Sequence, residues 1–147
     1  MELQRNTHHV YRPMYHFVWI PKYRHKVFSE PYRGTLKWII EKVGYDYDID
    51  IVELEIPEDH LHMVVRGVPT MSPSDVMQAI KSISAREFFR RYPEIRKRYF
   101  WEGKLWTHSY FVETIRNASE EDIRDYVRSQ LTEHEKNEDK SRQLGLF

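Results

Sequence analysis

Ile49-Asp50-Ile51-Val52-Glu53-Leu54-Glu55-Ile56-Pro57-Glu58-Asp59-His60-Leu61-His62-Met63-Val64-Val65-Arg66-Gly67-Val68 is the stretch that decides the fold. From Ile49 to Ile56 apolar and acidic residues alternate, and the phase slips where Ile51 and Val52 adjoin, which reads as a strand with a bulge or bend. From His60 to Val68 runs a second strand, closed by Gly67 and Pro69. The connection between them is short and acidic, so the two form an antiparallel hairpin. Side chains alternate along a strand, which puts His60 and His62 on one face and Leu61, Met63 and Val65 on the other. The hairpin therefore carries two imidazoles on an apolar back.

Upstream, Tyr15 to Ile20 reads as a strand stopped by Pro21, and a helix follows from about Tyr32 to Val43, ended by Gly44. Downstream, Ser72 is an N-cap, Pro73 takes the first helical position and Asp75 completes a capping box, opening a helix that runs to about Arg91 and stops at Tyr92-Pro93. Its buried stripe is Val76, Ile80 and Ile83, with Met77 and Phe88 beside them. A fourth strand lies within Thr107 to Thr114. A last helix enters at Ser119-x-x-Asp122 and carries Ile123, Val127 and Leu131 as its apolar line. The order β-α-β-β-α-β with a trailing helix predicts an α+β fold, a ferredoxin-like or RRM-like antiparallel sheet in a single domain covering 1–147, with the charged stretch 134–147 prone to fray. Helices on one face of such a sheet leave the other, with the histidines, available to a ligand.

The chain has no cysteine, which excludes disulfides and thiolate metal sites, and no apolar run long enough to span a membrane. Met1-Glu2-Leu3-Gln4-Arg5 lacks the apolar core of a signal peptide, so the expected location is the cytoplasm. Formal net charge is zero, which argues against coating duplex DNA by bulk electrostatics. The charges are nevertheless segregated. Residues 5–37 hold seven basic residues against one acid, 81–104 hold eight against three, and 41–59 hold eight acids against Lys42 alone. Such segregation suits a localised anion-binding surface.

On the last helix Tyr126 and Gln130 are four apart and share a face, so a phenol and an amide oxygen can reach one spot. With His60 and His62 they outline a metal-assisted tyrosine nucleophile built from two elements. A chain with eight histidines holds an His-x-His by chance roughly 0.4 times, so the pair gains meaning only from its context.

That context lies in four segments in order: His16-Phe17-Val18-Trp19-Ile20-Pro21-Lys22-Tyr23-Arg24, Glu55 to Val65, Phe100-Trp101-Glu102-Gly103-Lys104-Leu105-Trp106, and Ile123-Arg124-Asp125-Tyr126-Val127-Arg128-Ser129-Gln130. Together they resemble the single-tyrosine transposases of bacterial and archaeal insertion sequences, which carry a histidine-hydrophobe-histidine (HUH) strand, and the resemblance runs from about Tyr15 to about Glu133. One departure is visible. The family often reads Met-Pro-Asp before its first histidine, whereas Ile56-Pro57-Glu58-Asp59 carries an extra acid.

The resemblance implies a DNA transposase that cleaves and rejoins single-stranded DNA at imperfect hairpins near the element ends, with short guide sequences specifying the cleavage positions. Tyr126 would be the nucleophile, forming a 5′-phosphotyrosine. His60, His62 and the amide oxygen of Gln130 would hold a divalent ion, Mg²⁺ or Mn²⁺. In the family the tyrosine helix of one subunit serves the histidines of its partner, which implies a homodimer with its active site assembled in trans. Tyr23, Trp101 and Trp106 sit beside basic residues, a combination suited to stacking unpaired bases, although tryptophans also fill cores. Lys22, Arg24 and Lys26, with Lys81 and Arg86 on the second helix, are the expected phosphate contacts. Competing readings are a noncatalytic RRM-like module that binds single strands without metal, a related HUH relaxase or replication initiator, and a domesticated relative of the transposases.

Overall fold

The computed structural model of the 147-residue chain describes residues 13–67, 70–115 and 120–143, with side chains in the last segment described for 121–132. The chain divides into two compact units, Met1–Asn117 and Ala118–Phe147.

In the first unit the elements are β1 (Met14–Trp19), a single 3₁₀ turn (Lys22–Arg24), α1 (Tyr32–Asp46), β2 (Asp50–Glu55), β3 (Leu61–Arg66), α2 (Pro73–Arg91), α3 (Pro93–Tyr99) and β4 (Phe111–Ile115). The four strands form one antiparallel sheet in the order β2-β3-β1-β4, which is the ferredoxin-like arrangement expected from the element order. Trp19 lies opposite Leu61, Phe17 opposite Met63, and Leu54 also opposite Met63. Residues directly opposite one another share a face, so Phe17, Trp19, Leu54, Leu61, Met63 and Val65 form one apolar surface. They join Leu36, Ile39, Ile40 and Val43 of α1 and Val76, Met77, Ile80 and Phe88 of α2 in a single core. Fully burying side chains of this size is worth about 1.5–3 kcal/mol each. The hairpin bulge is present: the β2–β3 register shifts between Ile51 and Glu53, leaving Val52 as the extra residue.

The capping box at Ser72 forms as expected, with Asp75 N–H donating to Ser72 Oγ (3.1 Å) and Ser72 N–H to Asp75 Oδ2 (3.2 Å). Other expectations are corrected. Gly44 does not end α1; it lies buried in the last turn of a helix that continues to Asp46, where a Cβ would approach the Ile49 carbonyl oxygen to 3.0 Å. The glycine is there for close helix-to-strand contact. Within α2 the buried line is Val76, Met77, Ile80, Ser84 and Phe88, and Ile83 is only partly covered. Ser84 fits inside because its hydroxyl accepts a hydrogen bond from Trp106 Nε1 at 3.0 Å. Pro93 ends α2 but also opens α3, where a proline at the first helical position costs no hydrogen bond. The fourth strand begins at Phe111 rather than near Thr107, since the Lys81 ammonium gathers the carbonyls of Thr107, His108 and Ser109 (2.6, 3.3 and 3.3 Å) away from the ladder.

In the second unit α4 (Glu120–Gln143) is one continuous helix, so the backbone of the charged stretch stays helical as far as Gln143. The proposed N-cap Ser119 lies outside the described residues. Among the described residues no helix is long and apolar enough to cross a membrane.

Candidate functional site

The face of the sheet opposite α1 and α2 is set by the registers. Glu55 lies opposite His62, Val18 opposite His62, and His16 opposite both Val64 and Glu113. One surface therefore carries His16, His62, Glu55 and Glu113, with His60 in the residue before β3 begins. The strand starts one residue later than the sequence predicts, yet the two histidines stay together: their ring centroids are 5.0 Å apart and the planes meet at 73°. Both are buried.

Each imidazole has a neighbour at Nδ1. Asp59 Oδ1 lies 2.8 Å from Nδ1 of His60, and Asp59 Oδ2 lies 3.1 Å from the Arg24 guanidinium. Nδ1 of His62 is 2.9 Å from Nε2 of His16. The His16 and His62 rings are within 16° of parallel with centroids 5.2 Å apart, and two ring radii added to the nitrogen–nitrogen contact nearly account for that separation. The contact is thus an in-plane hydrogen bond rather than a face-to-face stack. Burial holds the His16 imidazole below the usual histidine range, with the Glu113 carboxylate opposing in part. A neutral His16 can accept from His62, as this bond requires if His62 is the donor.

With Nδ1 engaged in this way, Nε2 is the atom each ring has for another ligand. Paired imidazoles oriented by a carboxylate and a second ring are a donor set suited to a divalent metal. Among the described residues no cluster of three or more His, Asp or Glu side chains is arranged to hold a metal ion. Tyr126 and Gln130 lie one turn apart on α4, within the second unit.

The loop that delivers the histidines is anchored on both sides. The Phe28 N–H donates to the Glu58 carbonyl (3.0 Å) and Arg33 Nε to the Ile56 carbonyl (2.7 Å), so the extra acid before Asp59 is accommodated by backbone contacts. Across from it, the turn after β1 holds Tyr23 and Arg24 in left-handed conformations, φ 62° and 52°. Such backbone strain in non-glycine residues persists only where neighbours fix it. Here the Lys22 N–H donates to the Leu105 carbonyl (2.7 Å), the Arg24 N–H to the Pro21 carbonyl (2.8 Å), and the Tyr23 hydroxyl to Glu102 (3.1 Å).

The five basic residues expected to touch phosphate have different settings. Lys22 is ion-paired with Glu102, which raises the ammonium above the usual lysine value and draws the carboxyl below its own. Lys22 and Lys81 share a cleft of about 790 Å³, also lined by Gln78, Lys104, Trp106 and Tyr110. Lys26 lies instead in a smaller cleft of about 260 Å³ with Ser29, Glu94 and Arg98, and Arg86 is exposed on α2. Arg24 contacts Asp59. Of the three expected stacking rings, Tyr23 and Trp101 are 59% and 73% exposed, whereas Trp106 is a core residue packed edge-on against Trp19.

Residues 9–130 match the family described as "Transposase IS200 like". The chain belongs to that family. IS200-like transposases are enzymes acting on DNA, and relatives agree over most of this chain. The ISDra2 transposase TnpA of Deinococcus radiodurans is 30% identical over 130 residues, which are 88% of this chain and 92% of the relative. The transposase for insertion sequence element IS200 of Salmonella typhimurium is 31% identical over 120 residues, 81% of this chain and 77% of its own. A crystal structure assigned as a Deinococcus radiodurans R1 transposase superposes with a TM-score of 0.67 at 31% identity, covering 82% of this chain and 92% of that one. A REP-associated tyrosine transposase bound to a REP hairpin shares the fold at 17% identity and a TM-score of 0.53, covering 81% of this chain and 64% of its own.

Asp59 and His16 were absent from the sequence-derived site, although signals for both exist. Asp59 directly precedes His60, and His16 sits out of phase with Tyr15, Phe17 and Trp19, on the same face of β1 as Val18.

Proposed function

We propose that this IS200-like transposase cleaves and rejoins single-stranded DNA at hairpins near the ends of its element, through a covalent bond between Tyr126 and the 5′-phosphate. The observation that carries this reading is the pair of buried imidazoles, His60 and His62, on one face of the sheet with Nδ1 of each engaged by a neighbour. His60, His62 and the Gln130 amide oxygen would hold a divalent cation, Mg²⁺ or Mn²⁺, which supplies Lewis acidity at a non-bridging phosphate oxygen. The Tyr126 oxygen attacks phosphorus, the bond to the 3′-oxygen breaks, and that oxygen leaves as a 3′-hydroxyl after taking up a proton. The phosphodiester energy is kept in the phosphotyrosine, so a second 3′-hydroxyl reverses the step without an external energy source. Strand transfer results, not hydrolysis.

The same reading makes the working form a homodimer, with Tyr126 and Gln130 of one subunit serving His60 and His62 of the other. Tyr23 and Trp101, exposed beside Lys22 and Lys104, supply flat surfaces for unpaired bases next to cations. The decisive experiment incubates the protein with Mn²⁺ or Mg²⁺ and labelled single strands from the DNA flanking its gene, and looks for a denaturation-resistant protein–DNA band. A metal-dependent 5′-linked adduct that disappears in Tyr126→Phe is the expected result. Metal-independent binding with no adduct on any flanking strand would replace it with the noncatalytic binding module.

A further inference from the structure

An imidazole has two nitrogens, and the one that carries the hydrogen decides which of them offers a lone pair. For His60 this choice is made by the residue before it. We propose that Asp59, held by Arg24 from the left-handed turn after β1, is a positioning residue that fixes His60 as the Nδ1–H tautomer, so that Nε2 is an electron-pair donor before any cation arrives. The proposal rests on the reading of His60 and His62 as a cation site.

Asp59 is a buried carboxylate, with only 7% of its side chain exposed, and its two oxygens are divided between two partners. Oδ2 takes the Arg24 guanidinium at 3.1 Å and Oδ1 faces His60 Nδ1 at 2.8 Å. The carboxylate takes the Arg24 N–H at Oδ2 and is an acceptor at Oδ1 as well. The hydrogen in the 2.8 Å contact therefore belongs to the ring, and in the neutral ring Nε2 is left with its lone pair.

The geometry also explains why Arg24 tolerates φ 52°. Its backbone N–H is tied to the Pro21 carbonyl, and its guanidinium reaches the loop that bears the histidines. Arg24 thus acts on the site through Asp59, by steadying the carboxylate.

Long-range ¹H–¹⁵N spectra of the metal-free protein, recorded where the ring is neutral, read the tautomer without reference to activity. Wild type should show His60 with Nδ1 protonated. In Asp59→Ala the population should move to the Nε2–H form, and Mn²⁺ affinity measured by calorimetry should fall about 10- to 100-fold, the range typical for loss of a group that orients a metal-bound histidine. Arg24→Ala should keep the tautomer and weaken Mn²⁺ binding less. If Asp59→Ala does not fold, Asp59→Asn serves instead, because its amide keeps the shape but can donate as well as accept and so releases the lock. An Nε2–H ring in wild type, or an unchanged Nδ1–H ring in the Asp59 variant, overturns the proposal. A tautomer that shifts as expected in a protein that binds no Mn²⁺ upholds the role of Asp59 and overturns the cation reading instead.

Discussion

Two glycines on α1 should respond to alanine with opposite signs. At Gly44 a Cβ would meet Ile51 Cδ1 at 2.9 Å and the Ile49 carbonyl oxygen at 3.0 Å. The isoleucine can turn away, but the carbonyl belongs to backbone that is itself bonded to the helix, Ile49 N–H donating to the Gly44 carbonyl at 2.8 Å. Alanine in a helix gains about 1 kcal/mol over glycine, and forcing extra volume into a packed site costs about 1–3 kcal/mol. Because the obstacle is a backbone carbonyl, the cost belongs to the upper part of that range, about 2–3 kcal/mol, so Gly44→Ala should lose about 1–2 kcal/mol net, a fall of roughly 2–8 °C in Tm for a chain of this size. At Gly34 the added Cβ meets only Glu30 Oε2 at 3.1 Å, the far end of a flexible side chain. That variant should gain about 0.5–1 kcal/mol, because the propensity term acts there without a fixed obstacle. Thermal unfolding followed by circular dichroism, with wild type and both variants in one buffer, measures the difference directly. A Gly44→Ala protein as stable as wild type would refute the claim that this glycine is required by the approach of helix to strand.

Ser84→Ala should destabilise the protein by about 1–3 kcal/mol, because the buried Trp106 Nε1–H loses its acceptor; urea unfolding with no loss would show that the indole finds another partner. Trp101→Ala should weaken single-strand binding by about 1–3 kcal/mol at unchanged Tm, since its ring is exposed, and titration of a fluorescent oligonucleotide showing no change would remove it from the binding surface. Burial holds the Lys81 ammonium below its ordinary value of 10.5, so the folded state gives up this proton before the unfolded state does. The cost of burying the charge is present below the folded value and is relieved as pH rises toward 10.5, so wild-type stability relative to Lys81→Met should rise across that window; a flat or falling difference would contradict the shift.

The sheet was legible because its code is local. Alternation with one phase slip located both the hairpin and its bulge, and the capping box at Ser72 specified the start of α2 to the residue. What escaped depended on partners distant in sequence. Gly44 reads as a helix stop until Ile49 and Ile51 are seen beside it, and the delayed start of β4 follows from a lysine 26 residues away. The histidine pair was visible by spacing alone, but its supports were less so. Asp59 looked like one acid among eight in its segment, and only the fold brings Arg24 to it. His16 reaches His62 through the pairing of β1 with β3, which no window along the chain contains. Likewise Trp101 and Trp106 have similar basic neighbours in sequence, and only the strand-like contact of Trp106 with Pro21 takes the second ring inside.

The bulge in β2 has a bearing on how the chain can change length. Ile51 and Leu54 face the core while Glu53 and Glu55 pair on the other side, and Val52 is the residue passed over by the register. Removing Val52 would leave Ile51, Glu53, Leu54 and Glu55 in strict alternation, each still on its present face, at the cost of the local twist that a bulge supplies. Deleting Leu54 instead would carry a glutamate to the core face. Val52 is therefore a point where descendants of this chain can differ by one residue without rewriting the inside and outside of the sheet.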